Sequence, residues 1–244
     1  LAVGAMACSW FAASVTTHAE DPLRAHLAAA ARRATAFFRS KVGFQGSYVW
    51  QVSADLRRRE GEGKASASTG WVQPPGTPSV GEAYLRAFQR TGDQYYLEAA
   101  KEVADALVRC QLRSGGWDYR IELAAASRRA YAYRVDGEEA GQRNTTTLDD
   151  NNTQSALRLL MRIDQTLEMT EPRIHEAAQF ALARLLEAQY PNGAWPQRFA
   201  QPPDPDAYPV HKASYPDQWP RAFPGLDYKT HYTLNDNTMA DMIA

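Results

Sequence analysis

Two short runs concentrate the oxygen chemistry of this chain: Leu148-Asp149-Asp150-Asn151-Asn152-Thr153 and Leu234-Asn235-Asp236-Asn237. Each stands immediately before a segment with helical spacing, so its side chains have two uses. Asp, Asn and Thr cap helix N-termini by accepting free backbone N–H groups. The same carboxylate and amide oxygens are hard ligands, of which Ca2+ takes roughly six to eight. One cap uses one side chain, and the unbroken Asp/Asn run at 149–152 exceeds that need. On spacing alone, capping and cation or acid/base chemistry account for the clusters equally. Zinc is a poor fit, because His175, His211 and His231 show no ligand spacing.

Cations are gathered in the long polar stretches: Lys64, Arg120, Arg128, Arg129, Arg134, Arg143, Arg198, Lys212 and Arg221. An Arg fork matches a carboxylate with two parallel hydrogen bonds, although scattered arginines are ordinarily a solvated surface. Trp117 and Trp195 each close a Gln-x-x-x-Gly-x-Trp pattern, at Gln111–Trp117 and Gln189–Trp195. There Gln satisfies free carbonyls at a helix end, Gly turns the chain and Trp covers the end, so a structural clasp is the simpler reading. An indole on the loop face also stacks well on a sugar.

An internal repeat must position these groups. The segments 99–120 and 177–198 match at a constant offset of 78 residues (111 to 189, 117 to 195), and a fainter copy spans 30–48. Periods this long fit helical hairpins stacked side by side. Val80, Ala83, Tyr84, Ala87 and Phe88 form one apolar stripe, and Tyr96, Ala100, Val103, Ala104 and Leu107 the next. Ala156, Leu157, Leu160 and Ile163 repeat the spacing, as do Ile174, Ala178, Ala181, Leu182 and Leu185. Thr91-Gly92-Asp93 and Thr170-Glu171-Pro172 predict short turns inside the pairs. The other connections, about 46–78, 115–150 and 193–235, are long. Alternating short and long connections in a ring of hairpins place every long loop on one face, and loops of this length are usually functional. The fold expected is all-α, an incomplete α/α toroid. Its last hairpin begins at Thr238 and stops after two turns.

Composition sets the outer bounds. The 244 residues, 44% of them hydrophobic, suffice for one large core, and a net charge of −1 excludes a global attraction to nucleic acid or acidic membranes. Leu1–Ala19 is small and apolar and reads as the end of a secretory signal peptide, placing the protein in a secreted or periplasmic compartment. Residues 20–244 then form a single domain. With Cys8 removed, Cys110 has no partner and reads as a small buried hydrophobe.

The run Gln189-Tyr-Pro-Asn-Gly-Ala-Trp-Pro-Gln197, the Pro/Tyr-rich stretch after it and Tyr232-Thr-Leu-Asn-Asp-Asn237 resemble the pectate lyases of polysaccharide lyase family 10. Thr147-Leu-Asp-Asp-Asn-Asn-Thr153 is similar to that family's Thr-Phe-Asp-Asn-Gly-Ala-Thr motif. The resemblance covers roughly residues 40–244. It implies an α/α toroid, cleavage of polygalacturonate by β-elimination, and a Ca2+ cofactor; separately, a monomer is expected. Its two important aspartates fall on Asp149 and Asp236, the implied metal and uronate-carboxylate pair. Asn235 and Asn237 match the flanking positions. With Asp150, Asn151, Arg143, Trp195, Arg198 and Lys212 they make up the expected substrate-binding set. Asp150 departs from the motif's Asn, and Asn151-Asn152 from its Gly-Ala. The family's catalytic base is an arginine expected beyond residue 244, so none is assigned. Three other readings stand beside this one. They are an inverting glycoside hydrolase with carboxyls roughly 6.5–9.5 Å apart, a non-catalytic pectin-binding module, and a cyclase-like toroid with a deep aromatic cavity.

Overall fold

The computed structural model describes residues 22–139, 141–207 and 237–244, and the chain divides into two compact units, Leu1–Ala36 and Phe37–Ala244. The described part of the first is the helix α1 (Pro22–Phe37), whose last residue belongs to the second unit and whose Leu23 and Leu27 are exposed. The second unit is mainly helical. Its hairpins are α2 (Thr77–Thr91) with α3 (Gln94–Arg109), then, after the single turn α4 (Ala125–Arg128), α5 (Asn152–Thr166) with α6 (Pro172–Glu187). The short α7 (Thr238–Ile243) follows.

The predicted turns form for local reasons. Gly92 adopts φ 70°, which favours glycine, and its N–H closes α2 on the Phe88 carbonyl at 2.7 Å. Asp93 then caps α3 by accepting the Tyr95 N–H at 3.0 Å. Pro172 opens α6 at a position where a helix has no use for an N–H. The stripes meet in one core: α3 packs on α2, α5 and α6, and α5 also packs on α2. Val103, Leu107, Leu159, Leu160, Ile163 and Ala177 are fully buried there. One stripe is rotated from the expected one. On α2 Ala83 faces solvent, while Gly81, Tyr84 and Leu85 face inward. A Cβ on Gly81 would stand 2.4 Å from a Leu159 methyl, so the absence of a side chain sets how closely α2 meets α5.

Among the described residues, three small antiparallel ribbons supplement the helices, an addition to the all-α expectation. β1 (Gln51–Val52) pairs with β2 (Arg59–Glu60) within one loop. β3 (Thr69–Trp71) pairs with β4 (Arg120–Glu122), and β5 (Thr146–Thr147) with β6 (Arg198–Phe199), each joining one long loop to the next. Strands of two or three residues carry no readable alternation. Their pairing is what holds successive loops side by side.

The repeat recurs as a clasp. Gly46, Gly115 and Gly193 all take positive φ (84°, 115° and 87°) in the turn after a helix. The Trp117 indole donates to the Leu107 carbonyl at 2.9 Å, and Trp195 to Leu185 at 2.8 Å. Gln111 Nε2 donates to Gly115 at 2.9 Å and Gln189 Nε2 to Gly193 at 2.7 Å. Gln111 is fully buried and also reaches the Ala177 carbonyl at 2.8 Å, binding one repeat to the next. Gln111→Ala is therefore expected to cost about 2 kcal/mol in denaturant unfolding by stranding buried carbonyls. The half-buried equivalent, Gln189→Ala, should cost well under half of that.

Cys110 is free and buried, and burial pushes its thiol up to about 12, as expected of a packing residue. Among the described residues, no helix is long and apolar enough to cross a membrane. The proposed signal segment, Leu1–Ala19, lies outside those residues.

Candidate functional site

The first acidic cluster is held by backbone groups of the preceding repeat. The Trp117 carbonyl accepts from the Thr147 N–H at 3.1 Å and from Asn152 Nδ2 at 3.0 Å, while Thr153 Oγ1 accepts the Trp117 N–H at 3.2 Å. Leu148 is fixed from both sides: its N–H reaches the Gln197 carbonyl at 2.8 Å, and its carbonyl accepts Gln154 Nε2 at 2.8 Å. Asp149–Asn151 then make a 3₁₀ turn in which Asp150 (φ 50°) and Asn151 (φ 56°) are left-handed, a conformation that Asp and Asn tolerate better than most residues. Asn151 occupies the cap position of α5 and Asn237 that of α7, yet neither side chain caps its helix. Three consecutive side chains instead find three different partners.

Asp149, 8% exposed, accepts the Tyr119 hydroxyl on Oδ2 at 2.6 Å. Arg198 Nη2 donates to the Tyr119 oxygen at 3.1 Å, lies 3.6 Å from Asp149 Oδ2, and its guanidinium sits 5.0 Å over the Tyr119 ring. Arg198 arrives there because it pairs with Thr147 across the β5–β6 ribbon. Asp149 Oδ1 and Arg198 Nε are buried without hydrogen-bond partners among the described residues. Burial and the bond to Asp149 both push the Tyr119 hydroxyl up, so it remains a donor. Burial works against the Arg198 charge, but Tyr119, Asp149 and Asp118 outweigh it and hold the guanidinium above its ordinary value.

Asp118 faces the same cations. Burial raises its carboxyl above the usual range, only partly opposed by the Tyr119 N–H and by Arg198, Arg120 and Arg143. A raised carboxylate binds its proton more tightly when folded, so its ionisation costs stability as pH climbs from the ordinary carboxylate range through the raised value. Asp118→Asn should accordingly raise the melting temperature at pH 7 and leave it unchanged at pH 3, where the native carboxyl is already neutral.

Asp150 is turned the other way. Gln73 Nε2 donates to Asp150 Oδ2 at 2.9 Å and to Glu62 Oε1 at 3.3 Å. The same Gln73 accepts the Trp50 indole on its carbonyl (2.8 Å) and the Trp71 indole on Oε1 (3.2 Å). Asn151 is engaged by Arg158, whose other Nη donates to the Asp241 carbonyl of α7 at 3.0 Å. Because α7 packs on the 149–151 turn, exposed Asn237 stands beside the first cluster. Arg143 is exposed and stacks 5.5 Å over Tyr131, within the field of Asp118. Trp195 sits apart from Asp149, in a cavity of about 650 Å3 that it lines with Leu157, Leu182 and Met242. Asp236, Asn235 and Lys212 lie outside the described residues. Of the other loop cations, Arg128 is paired with Asp136 and Arg134 with Glu176, both at 2.7 Å, so both are structural.

Sequence reasoning missed Tyr119, Asp118, Gln73 and Trp50. A usable signal existed for the first two. The 78-residue offset that relates Trp117 to Trp195 also relates Arg120 to Arg198, which marks 118–120 as the counterpart of 196–198. Among the described residues, no three His, Cys, Asp or Glu side chains assemble into a metal cage.

Comparison with known proteins agrees with the resemblance seen in the motifs. No curated protein matches the chain. Two solved structures do, a family 10 polysaccharide lyase from Cellvibrio cellulosa and a point mutant of a family 10 lyase from the same organism in complex with trigalaturonic acid. Each is 18% identical with a TM-score of 0.44, and the match covers 71% of this chain and 54% of theirs, so the chain spans about half their length. A family model described as pectic acid lyase matches residues 123–244, a stretch that begins just after β4 and holds both acidic clusters and Arg198. Since that match takes in half of the sequence, the chain belongs to the pectic acid lyase family.

Proposed function

We propose that the protein is a secreted pectate lyase that cleaves polygalacturonate by Ca2+-dependent β-elimination, with its hairpins forming part of an α/α toroid. The observation that carries this reading is Asp149 Oδ1, a buried carboxylate oxygen without a partner among the described residues, beside an arginine held in its charged form. A buried charged oxygen is costly unless something satisfies it, and a hard cation does so. Asp149 and, from the second cluster, Asp236 would hold Ca2+. When bound, the ion draws charge from the uronate carboxylate and so acidifies the neighbouring C5–H.

The chain's own residues bind and orient the substrate. Arg198, its side chain 28% exposed, meets a sugar carboxylate with the accessible part of its guanidinium. Exposed Arg143, near enough to act on Asp118, is a second cation for a sugar carboxylate. Asp150, bonded by Gln73, and Asn151, bonded by Arg158, are the further polar residues of this reading, with Asn235, Asn237 and Lys212 as additional substrate-binding residues. Arg198 is no proton acceptor, because its neighbours hold the guanidinium charged, and no base is assigned among these residues. Leu1–Ala19 supports export of the protein.

A second reading draws support from Asp118. A carboxyl raised by burial suits a general acid, and with Asp149 as the second carboxyl it describes an inverting hydrolase. Incubating the full-length protein with polygalacturonate separates the two. The lyase produces a UV-absorbing unsaturated end that disappears with EDTA and returns with Ca2+. New reducing ends without that absorbance would establish the hydrolase, and binding without either product a pectin-binding module.

A further inference from the structure

We infer that Tyr119 is a positioning residue whose hydroxyl wedges Arg198 away from Asp149, keeping both charges available for a divalent cation and a carboxylate bound side by side. The inference rests on the cation site proposed above and adds to it a residue outside the two acidic motifs.

A carboxylate and a guanidinium that meet in a partly buried pocket ordinarily close to about 2.7–2.9 Å and satisfy one another. Here the nearest approach is 3.6 Å, beyond a hydrogen bond. The Tyr119 oxygen bridges the gap. Its single proton goes to Asp149 Oδ2 at 2.6 Å, and a lone pair accepts from Arg198 Nη2 at 3.1 Å. A hydroxyl can do both at once, which neither a lone donor nor a lone acceptor can. The ring beneath the guanidinium, 5.0 Å from it, fixes the height at which Arg198 sits. The β5–β6 ribbon fixes where Arg198 enters the pocket.

The result is a pair of opposite charges that each keep one buried polar atom unused, Oδ1 on Asp149 and Nε on Arg198. A bidentate ion pair through Nε and Nη2 would have consumed them. Kept apart, the acid retains an unsatisfied oxygen for a cation, while the partly exposed guanidinium retains its charge for an anionic oxygen. That combination fits a cation together with the uronate carboxylate it bridges.

The test compares Tyr119→Phe, Arg198→Gln and the double variant in the full-length protein. Phenylalanine keeps the ring and removes only the wedge. In a metal-free crystal structure of Tyr119→Phe, an Arg198 nitrogen is expected within about 3 Å of an Asp149 oxygen. Titration calorimetry with CaCl2 should show affinity about tenfold weaker in Tyr119→Phe. It should be restored in the double variant to that of Arg198→Gln, because the competing cation is gone. An Arg198 that stays in place in the Tyr119→Phe crystal would overturn the wedge. So would a double variant as weak as Tyr119→Phe alone, which would show that the hydroxyl serves the metal directly. Should the crystal show the collapse while the unmodified protein binds no Ca2+, the wedge stands and the cation reading fails.

Discussion

Replacing Asp149 with asparagine in the full-length protein is expected to lower formation of unsaturated product by about 10³-fold, the scale lost when one preorganised electrostatic group is taken from a site that stabilises developing charge. The substitution is nearly isosteric. The amide oxygen still accepts the Tyr119 hydroxyl, and Leu148 and Asn152 keep their bonds to Gln197 and Trp117. What disappears is the negative charge, and with it the attraction on which the proposed cation depends. Stability should change little, because removing a buried charge also removes its desolvation cost. The rate of absorbance rise on polygalacturonate reads the effect, and thermal unfolding of the same sample confirms that the fold is retained. Excess Ca2+ should not rescue the variant. Asp236→Ala is expected to show a loss of the same order, and an unchanged rate in either variant would remove that aspartate from the site.

Trp117→Ala should have the largest effect on stability, about 3–5 kcal/mol by denaturant unfolding. Trp117 is fully buried, its indole closes the end of α3 on Leu107, and its backbone carbonyl carries Thr147 and Asn152. Because the Trp117 carbonyl holds Thr147 and Asn152 on either side of Asp149, activity should fall along with stability. Trp195→Ala is the control. It makes the same indole bond, to Leu185, but is only partly buried, and about 1–2 kcal/mol is the expected loss. Equal costs would mean that the two clasps bear the same load, contrary to their difference in burial.

The contrast between these tryptophans shows where the sequence was legible. The Gln-x-x-x-Gly-x-Trp pattern announced a clasp at both sites, because the bonds involved join residues four to ten apart and depend on one helix end. The helical hairpins were legible for the same reason: Gly92, Asp93 and Pro172 act on their own turns. Burial of each clasp was not, since it depends on what covers it. Gln111 is fully buried and reaches Ala177 in the next repeat, whereas half-buried Gln189 bonds Gly193 in its own turn. The face of α2 was misjudged at Ala83 because the small Gly81, invisible to an apolar count, marks the side that meets α5.

By itself the sequence determined the paired helices, their short turns, the repeated clasp and the clustering of oxygen ligands ahead of α5 and α7, all products of residue type and short-range spacing. It also carried the family motifs. Only the tertiary structure decided what each acidic side chain does. Two successive left-handed residues send Asp149, Asp150 and Asn151 to Tyr119, Gln73 and Arg158, partners that no local rule connects. The β5–β6 pairing then sets Arg198 beside a carboxylate 49 positions earlier in the chain (149 to 198). Ribbons of two residues leave no periodic trace, and loop register is a property of how whole repeats pack. The charge arrangement at Asp149 was therefore out of reach until the hairpins were placed against one another.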